Sequence, residues 1–325
     1  MINIVIVGYG NLGRGVKNAI ERNPDMKLAA VFTRRLESVK KDIQDVPIFS
    51  GAQASVPRSL RIDVAILCGG SKEDTPIQGP QFIEKFNTVD SFDTHADIPR
   101  YFKKMDTIAK AKGNVAVISA GWDPGIFSLE RVIGDAFLPG SKGYTFWGPG
   151  VSQGHSDAAR KVKGVIDARQ YTIPIETALK QVRSGKIKDF TKREMHKRVV
   201  YIVAEKGADR ERIRKDIVEM PNYYSDYDTE VHFITAEEMK KNHSNYPHGG
   251  FVLTSGVTGK NNKQILEYRC ELKSNPEFTG SVLVACARAV YRMKKSGAKG
   301  AFTMLDIPAA LLSPHSEADL RAHFM

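Results

Sequence analysis

The residues best able to do chemistry in this chain fall into three groups, each where an apolar run ends. The first is Gly8-Tyr9-Gly10-Asn11-Leu12-Gly13, directly after the run Ile2 to Val7. It opens the stretch Asn11 to Arg22, in which Leu12, Val16 and Ile20 recur four apart. A G-x-G-x-x-G string is weak alone, but between a buried strand and a helix it is the setting that holds a dinucleotide pyrophosphate. Gly8 permits the tight turn, Gly10 lets the pyrophosphate approach the backbone, and Gly13 lets the helix pack on the strand. N–H groups at the helix start then face the phosphates, so Tyr9, Asn11 and Leu12 belong to the same turn. The second group is Thr33-Arg34-Arg35, after the run Leu28 to Phe32. A carboxylate is usual there when the ribose 2′-hydroxyl is bound. Two guanidiniums stand in its place and can clamp a 2′-phosphate, which favours NADP over NAD. The plainer alternative is that they only solvate a strand end. Cys68-Gly69-Gly70-Ser71 ends the next strand, Val64 to Leu67, at the carboxyl edge where such sheets bind ligands. Gly69 and Gly70 allow a cofactor to pass, and Cys68 reads as a small buried residue.

The third group is polar and aromatic. Val89 to Asp97 carries Asp90, Asp93 and Asp97, just past a strand expected at Asn87 to Val89. Ser119-Ala120-Gly121-Trp122-Asp123-Pro124-Gly125 follows a strand expected over Val115 to Ser119. Thr145 to Gly150 and Ser152 to Asp157 complete the group. Each piece has a plain explanation as well. Asp-Pro-Gly is a common turn string, and Asp97 and Asp157 could be helix N-caps.

The elements that must position these residues read as two kinds. Up to about residue 120, apolar strands alternate with helices, including Ile98 to Ala111, which predicts a Rossmann-type, doubly wound parallel sheet. After about Pro139 the strands become half-polar, as in Val199 to Ala204, Glu230 to Ile234 and Gln264 to Leu272, with helices at Ile175 to Arg183 and Asp209 to Met220. That pattern predicts an α+β domain with a mixed or antiparallel sheet covered on one face. A long helix is expected from Phe278 to Lys294. The expected division is a dinucleotide-binding domain over 1–120, with the tail 296–325 packed back on it, and a substrate-binding and dimerisation domain over 121–295.

Composition narrows the classes. Hydrophobic residues at 42% and charged residues at 26% suit a globular core and exclude general disorder. No apolar run approaches the roughly 18 residues of a membrane span, and the N-terminus enters a strand without a signal-peptide pattern. Cys68, Cys270 and Cys286 are odd in number and far apart, which fits a reducing cytoplasm and neither a disulfide framework nor a zinc site. No histidines pair at metal-ligand spacing, so no metal is expected. The net charge of +11 suggests an anionic partner, but the basic residues are scattered and no nucleic-acid-binding motif accompanies them.

Taken together, Gly8 to Gly13, Thr33-Arg34-Arg35, Gly121 to Gly125, Phe146-Trp147-Gly148-Pro149-Gly150, Gln153-Gly154-His155-Ser156-Asp157, Pro247-His248-Gly249-Gly250 and Asn275-Pro276-Glu277-Phe278-Thr279 resemble the meso-diaminopimelate dehydrogenase family. The likeness runs over nearly the whole chain, and only the connection from Leu36 to Leu60 adds little to it. The resemblance implies an NADP-dependent amino-acid dehydrogenase. Its reaction would be reversible oxidative deamination of meso-2,6-diaminopimelate at the D-configured carbon, in lysine and cell-wall precursor biosynthesis. By the same resemblance Asp93 and Asp123 hold the D-centre amine, Trp122 and Trp147 shape the pocket, and Gln153 and Gly154 belong to the substrate site; Asp97 lies close enough in sequence to assist. Thr172, Arg198 and His248 hold the L-centre carboxylate with Asn275 nearby, while Thr94, His95, Pro124 and Gly125 add to the cofactor site. At least a homodimer is implied. Without the family, Arg198 in His196-Lys197-Arg198 reads as a solvated strand edge, and His155 could touch either substrate or backbone. Two other readings stay open: an NADP-dependent oxidoreductase acting on a sugar or aldehyde, and a non-catalytic NADP-binding sensor. A sugar dehydrogenase of this build usually carries a Glu-Lys-Pro-type lysine, but Asn87-Thr88-Val89-Asp90 has none.

Overall fold

A computed structural model describes residues 1–51 and 60–325; part of the connection between Leu36 and Leu60 lies outside the described residues. By its backbone contacts the chain divides into two compact units, Met1–Leu129 with Pro276–Met325, and Glu130–Asn275. The first unit is built on β1 (Ile2–Val7), β2 (Met26–Thr33), the short β3 (Ile48–Ser50), β4 (Val64–Leu67), β5 (Asn87–Asp90) and β6 (Val115–Val117). The C-terminal strand Gly300–Phe302 joins them in one seven-stranded sheet of order Gly300–Phe302, β6, β5, β4, β1, β2, β3. Every pairing in it is parallel. Helices α1 (Asn11–Glu21), α2 (Leu36–Asp42), α3 (Thr75–Ile83) and α4 (Ile98–Lys112) connect its strands. This is the doubly wound sheet expected of the first third.

Strand β1 shows why the pattern is apolar without alternation. Ile2, Ile4 and Ile6 enter a core shared with Val16 and Ile20 of α1, while Val5 and Val7 enter a second core with Phe32 and Phe82. Both faces are covered, so the strand is apolar without alternation except at Asn3, whose buried side chain donates to Asp63 at 2.7 Å. The helix Asn275–Lys295, longer by a few residues than the spacing predicts, places Val282, Leu283, Cys286, Ala287 and Val290 in the first of these cores. Its Arg288 is buried and bidentate to Asp25, at 2.6 and 2.8 Å, and also reaches the side chain of Asn23. That pair ties the helix to the turn between α1 and β2. The helix therefore stands with the parallel sheet of the first unit, and not with residues 121–295 as the sequence pattern predicts.

In the second unit, β9 (Val165–Pro174) and β10 (His196–Ala204) follow β7 (Lys142–Trp147) and β8 (Gly150–Val151). Next come β11 (Asp228–Phe233), β12 (His248–Thr258) and β13 (Asn262–Leu272). One sheet has the order β11-β10-β9-β8 and the other β13-β12-β7. The first is mixed, because β10 and β11 run parallel while its other pairs are antiparallel. The second is wholly antiparallel. Ala168, Val200, Ile202 and Val231 pack under the first sheet against Ile213 and Ile217. Tyr144, Phe146 and Leu253 pack against Ala178, Leu179 and Val182. Among the described residues no helix is long and apolar enough to cross a membrane.

Candidate active site

In the first unit the chain order crosses over between β1 and β4, which makes a crevice at their carboxyl ends. A cavity of about 470 Å³ lies there, lined by Gly8, Tyr9, Gly10, Thr33, Arg34, Arg35, Cys68, Gly69 and Gly70 among others. Gly8 has φ +92°, and a Cβ on it would stand 3.0 Å from the Cys68 carbonyl carbon. A Cβ on Gly13 would stand 2.3 Å from the Gly8 carbonyl oxygen, so α1 can start this close to β1 only without a side chain there. A Cβ on Gly10 would meet nothing nearer than Arg35 Nη2 at 3.9 Å. The backbone is therefore open on the side where a pyrophosphate would lie. Arg35 reaches back to the Tyr9 carbonyl at 3.1 Å, and its N–H donates to Thr33 Oγ1. Cys68 is buried apart from its edge on the cavity, and burial pushes its thiol far up, so it is packing rather than a nucleophile. Asn11, Leu12, Ser71, Thr94, His95, Pro124 and Gly125 do not line this cavity. Asp74, Ile77 and Gln78 do, and no local motif in the sequence marks them. Asp74 accepts the Gly70 N–H at 2.9 Å and pairs with Arg34 at 3.1 Å.

Asp93 follows β5 and Asp123 follows β6, so neighbouring strands deliver both to the carboxyl edge of the sheet. Asp93 is exposed and its N–H donates to Ser71 Oγ at 2.8 Å, joining it to the glycine loop after β4. Asp123 is half-buried beside Trp122, whose ring packs edge-on against Phe127 at 5.1 Å. Asp97 stands at the N-cap position of α4 but makes no capping bond and pairs with Arg100 instead. Asp157 is no cap either: the helix α5 (Gln153–Arg160) starts after Ser152, and Asp157 pairs within it with Arg160. Asp90 is wholly buried. Burial pushes its carboxyl up to about 6 although Tyr101 and two backbone N–H groups donate to it.

The second unit gathers a different chemistry. Register places Arg198 opposite Thr172, and Thr172 opposite Gly150. Arg198 is 6% exposed, donates to Thr172 Oγ1 and lies 3.9 Å over the Tyr227 ring, while its Nε finds no acceptor. Among the described residues no carboxylate pairs with it. A solvated strand edge is thus the wrong description: β10 is interior to its sheet and Arg198 faces inward. A buried cation without a counter-charge is costly, which makes this a place prepared for an anion. His248 adjoins Gly150, where a Cβ would meet its Cα at 2.5 Å, and Asn275 is tied to the same segment by its N–H to Tyr246 O. Gln153 and Gly154 are exposed at the start of α5, and Trp147 is 38% exposed. His155 bonds Ser152 Oγ at 2.8 Å, and its carbonyl accepts from Tyr224.

His196, not singled out from sequence, accepts the Trp147 N–H on Nε2 at 2.9 Å and so is held neutral. Burial and then the Arg198 charge push it down to about 3, and the same causes push His155 down to about 4. Both groups bind protons more weakly folded than unfolded, so their stabilisation is complete above about pH 6.5 and is lost as pH falls towards these values. We expect unfolding at pH 5 to take up close to two protons from this pair, and His196→Gln to remove about one from the slope of unfolding free energy against pH. An unchanged slope would show that His196 is not held neutral by the fold.

A family model for the diaminopimelic acid dehydrogenase C-terminal domain matches residues 121–274. The meso-diaminopimelate D-dehydrogenase of Ureibacillus thermosphaericus is 54% identical over 324 residues, 100% of this chain and 99% of that protein. The structure of C. glutamicum DAP dehydrogenase in complex with DAP has a TM-score of 0.92 at 45% identity, covering 100% of this chain and 99% of the other. An engineered D-amino acid dehydrogenase bound to NADP+ has a TM-score of 0.87 at 44% identity, with 100% and 99% covered. Identity at this level over both full lengths leaves no part of the fold unmatched, and the chain belongs to the meso-diaminopimelate D-dehydrogenase family.

Proposed function

We propose that this chain catalyses the reversible, NADP-dependent oxidative deamination of meso-2,6-diaminopimelate at its D-centre, giving L-2-amino-6-oxopimelate and ammonia. The observation that carries the reading is that the nucleotide-binding sheet presents carboxylates, Asp93 and Asp123, at the ends of β5 and β6. Carboxylates suit an amine, whereas oxidation of a sugar hydroxyl calls for a base such as lysine. NADP, when bound, supplies the hydride acceptor. The open face at Gly10 and the guanidiniums of Arg34 and Arg35 fit its pyrophosphate and 2′-phosphate.

The chain's own residues do the rest. Asp93 and Asp123 accept hydrogen bonds from the D-centre ammonium and take its proton, directly or through water, so that the nitrogen lone pair becomes available. When the α-hydrogen leaves with its electron pair, that lone pair forms the C=N bond and the positive iminium is stabilised by the same two carboxylates. Water adds to the iminium carbon, a proton moves to nitrogen, and ammonia departs to leave the ketone. Trp122 and Trp147 wall the amine end. Arg198 with Thr172 and His248 binds the L-centre carboxylate, so that only one of the two stereocentres is presented for reaction. Homodimerisation through the second unit, in a reducing cytoplasm, completes the proposal.

The test is reduction of NADP by the purified protein on addition of meso-diaminopimelate, followed by nicotinamide absorbance, with ammonia released in equal amount. Tight NADP binding without turnover would leave a sensor in place of the enzyme. Changing both Arg34 and Arg35 to Ala should weaken NADP by about 10²-fold, the low end for two charge-assisted contacts because Arg34 is largely exposed. NAD affinity should change only a few-fold. Equal losses for the two nucleotides would contradict a 2′-phosphate clamp.

A further inference from the structure

We propose that Asp90 is a positioning residue for this reaction: its side chain and its main-chain carbonyl together hold the two segments that carry Asp93 and Asp123. The proposal rests on the reading that those two carboxylates bind the amine. Asp90 Oδ1 accepts the N–H of Phe92 and the N–H of Ser119, each at 3.0 Å. Its Oδ2 accepts the Tyr101 hydroxyl at 2.8 Å, and its carbonyl accepts the Ala120 N–H at 2.9 Å. One residue thus grips the chain directly before Asp93 and again at the start of the turn that leads to Asp123.

Ser119 is where that grip matters most. It has φ +54°, a left-handed conformation that costs a non-glycine residue about 1 kcal/mol or more and persists only where its surroundings impose it. The Ser119 hydroxyl has no hydrogen-bond partner, so its own side chain does not impose the conformation. The bond from its N–H to Asp90 does. Among the described residues Asp90 has no cation partner, and a buried carboxylate so placed is an expensive way to fill a core. An asparagine or a threonine would serve packing alone. Because the Oδ1 contacts bridge two loops, small displacements there are passed to both amine-binding carboxylates, and a misplacement near 1 Å can cost about 10²-fold in rate.

The experiment compares variants of the full-length enzyme by kcat with meso-diaminopimelate, by NADP affinity and by thermal midpoint. Asp90→Ala should lower kcat by about 10²-fold with NADP affinity changed only a few-fold. Asp90→Asn keeps an oxygen for both N–H donors and should stay within about tenfold of the parent. Should Asp90→Ala not fold, Asp90→Thr takes its place: it suits the end of a strand, but its shorter hydroxyl cannot bridge both donors, and it should lose rate as Asp90→Ala would. In the background of Asp93→Asn with Asp123→Asn, the further loss from removing Asp90 should shrink to a few-fold, because the residues act as one unit. A folded Asp90→Ala or Asp90→Thr with undiminished kcat, a tenfold-exceeding loss in Asp90→Asn, or full multiplication of losses in the triple variant overturns the proposal. Failure of the underlying reading looks different: Asp93→Asn and Asp123→Asn would then turn over normally whatever happens at Asp90.

Discussion

Asp123→Asn is expected to lower kcat with meso-diaminopimelate by about 10³-fold while leaving NADP affinity within a few-fold of the parent. The amide has the shape of the carboxylate and can still accept a hydrogen bond, so the bound substrate is held. What it lacks is charge. A neutral group neither takes the ammonium proton nor offsets the positive iminium, and both losses fall on the transition state rather than on the ground state. The expected signature is therefore a collapse of kcat with a modest change in KM. Asp123 follows β6 and does not line the crevice between β1 and β4, which is why the nucleotide should be indifferent to the change. Single-turnover reduction of NADP, measured beside equilibrium binding of the nucleotide, separates the two effects. Retained turnover would remove Asp123 from the chemistry.

How much of this was legible in the sequence depends on how local the cause is. The nearly continuous apolar run of β1, the fourfold spacing in α1 and the glycine turn between them have causes within a few residues, and their places in the structure follow from the pattern. The edge strand Ile48–Ser50 is too short and too half-exposed to carry a periodicity of its own. Asp90, Asp93 and Asp97 look alike in one polar stretch, yet one is buried, one exposed and one paired with arginine. Only the neighbouring β6 end and Tyr101 of α4 separate them. Asp74 and Gln78 reach the crevice between β1 and β4 because the glycine loop after β4 brings the start of α3 over it. The long helix Asn275–Lys295 joins the first unit through a contact between residues 25 and 288, which no local window contains. In His196-Lys197-Arg198 the period of two was the available signal: alternate side chains face opposite sides of a strand. Lys197 pairs with Glu230, while His196 and Arg198 both turn to the buried face.

That buried face yields the second large effect. Arg198→Met should raise KM for meso-diaminopimelate by about 10²- to 10³-fold, the usual cost of removing one partner of a buried charged pair formed on binding. The free protein should not suffer with it. Arg198 has no carboxylate partner among the described residues, and burial pulls its guanidinium below the usual range, so the cation is a burden in the free protein. Replacing it with an apolar side chain of similar length gives up the contacts to Thr172 and Tyr227 but also removes the desolvation cost. The midpoint of thermal unfolding should hold or rise, as it commonly does when buried ions give way to packed apolar groups. The D-centre chemistry is untouched by the change, so kcat should fall much less than kcat/KM. A D-amino acid with an apolar side chain in place of the distal carboxylate should lose little, and the preference for meso-diaminopimelate over it should shrink by the same 10²- to 10³-fold or so. If Arg198→Met instead unfolds the protein while leaving KM unchanged in the folded fraction, the guanidinium serves the fold and the distal carboxylate must be held elsewhere.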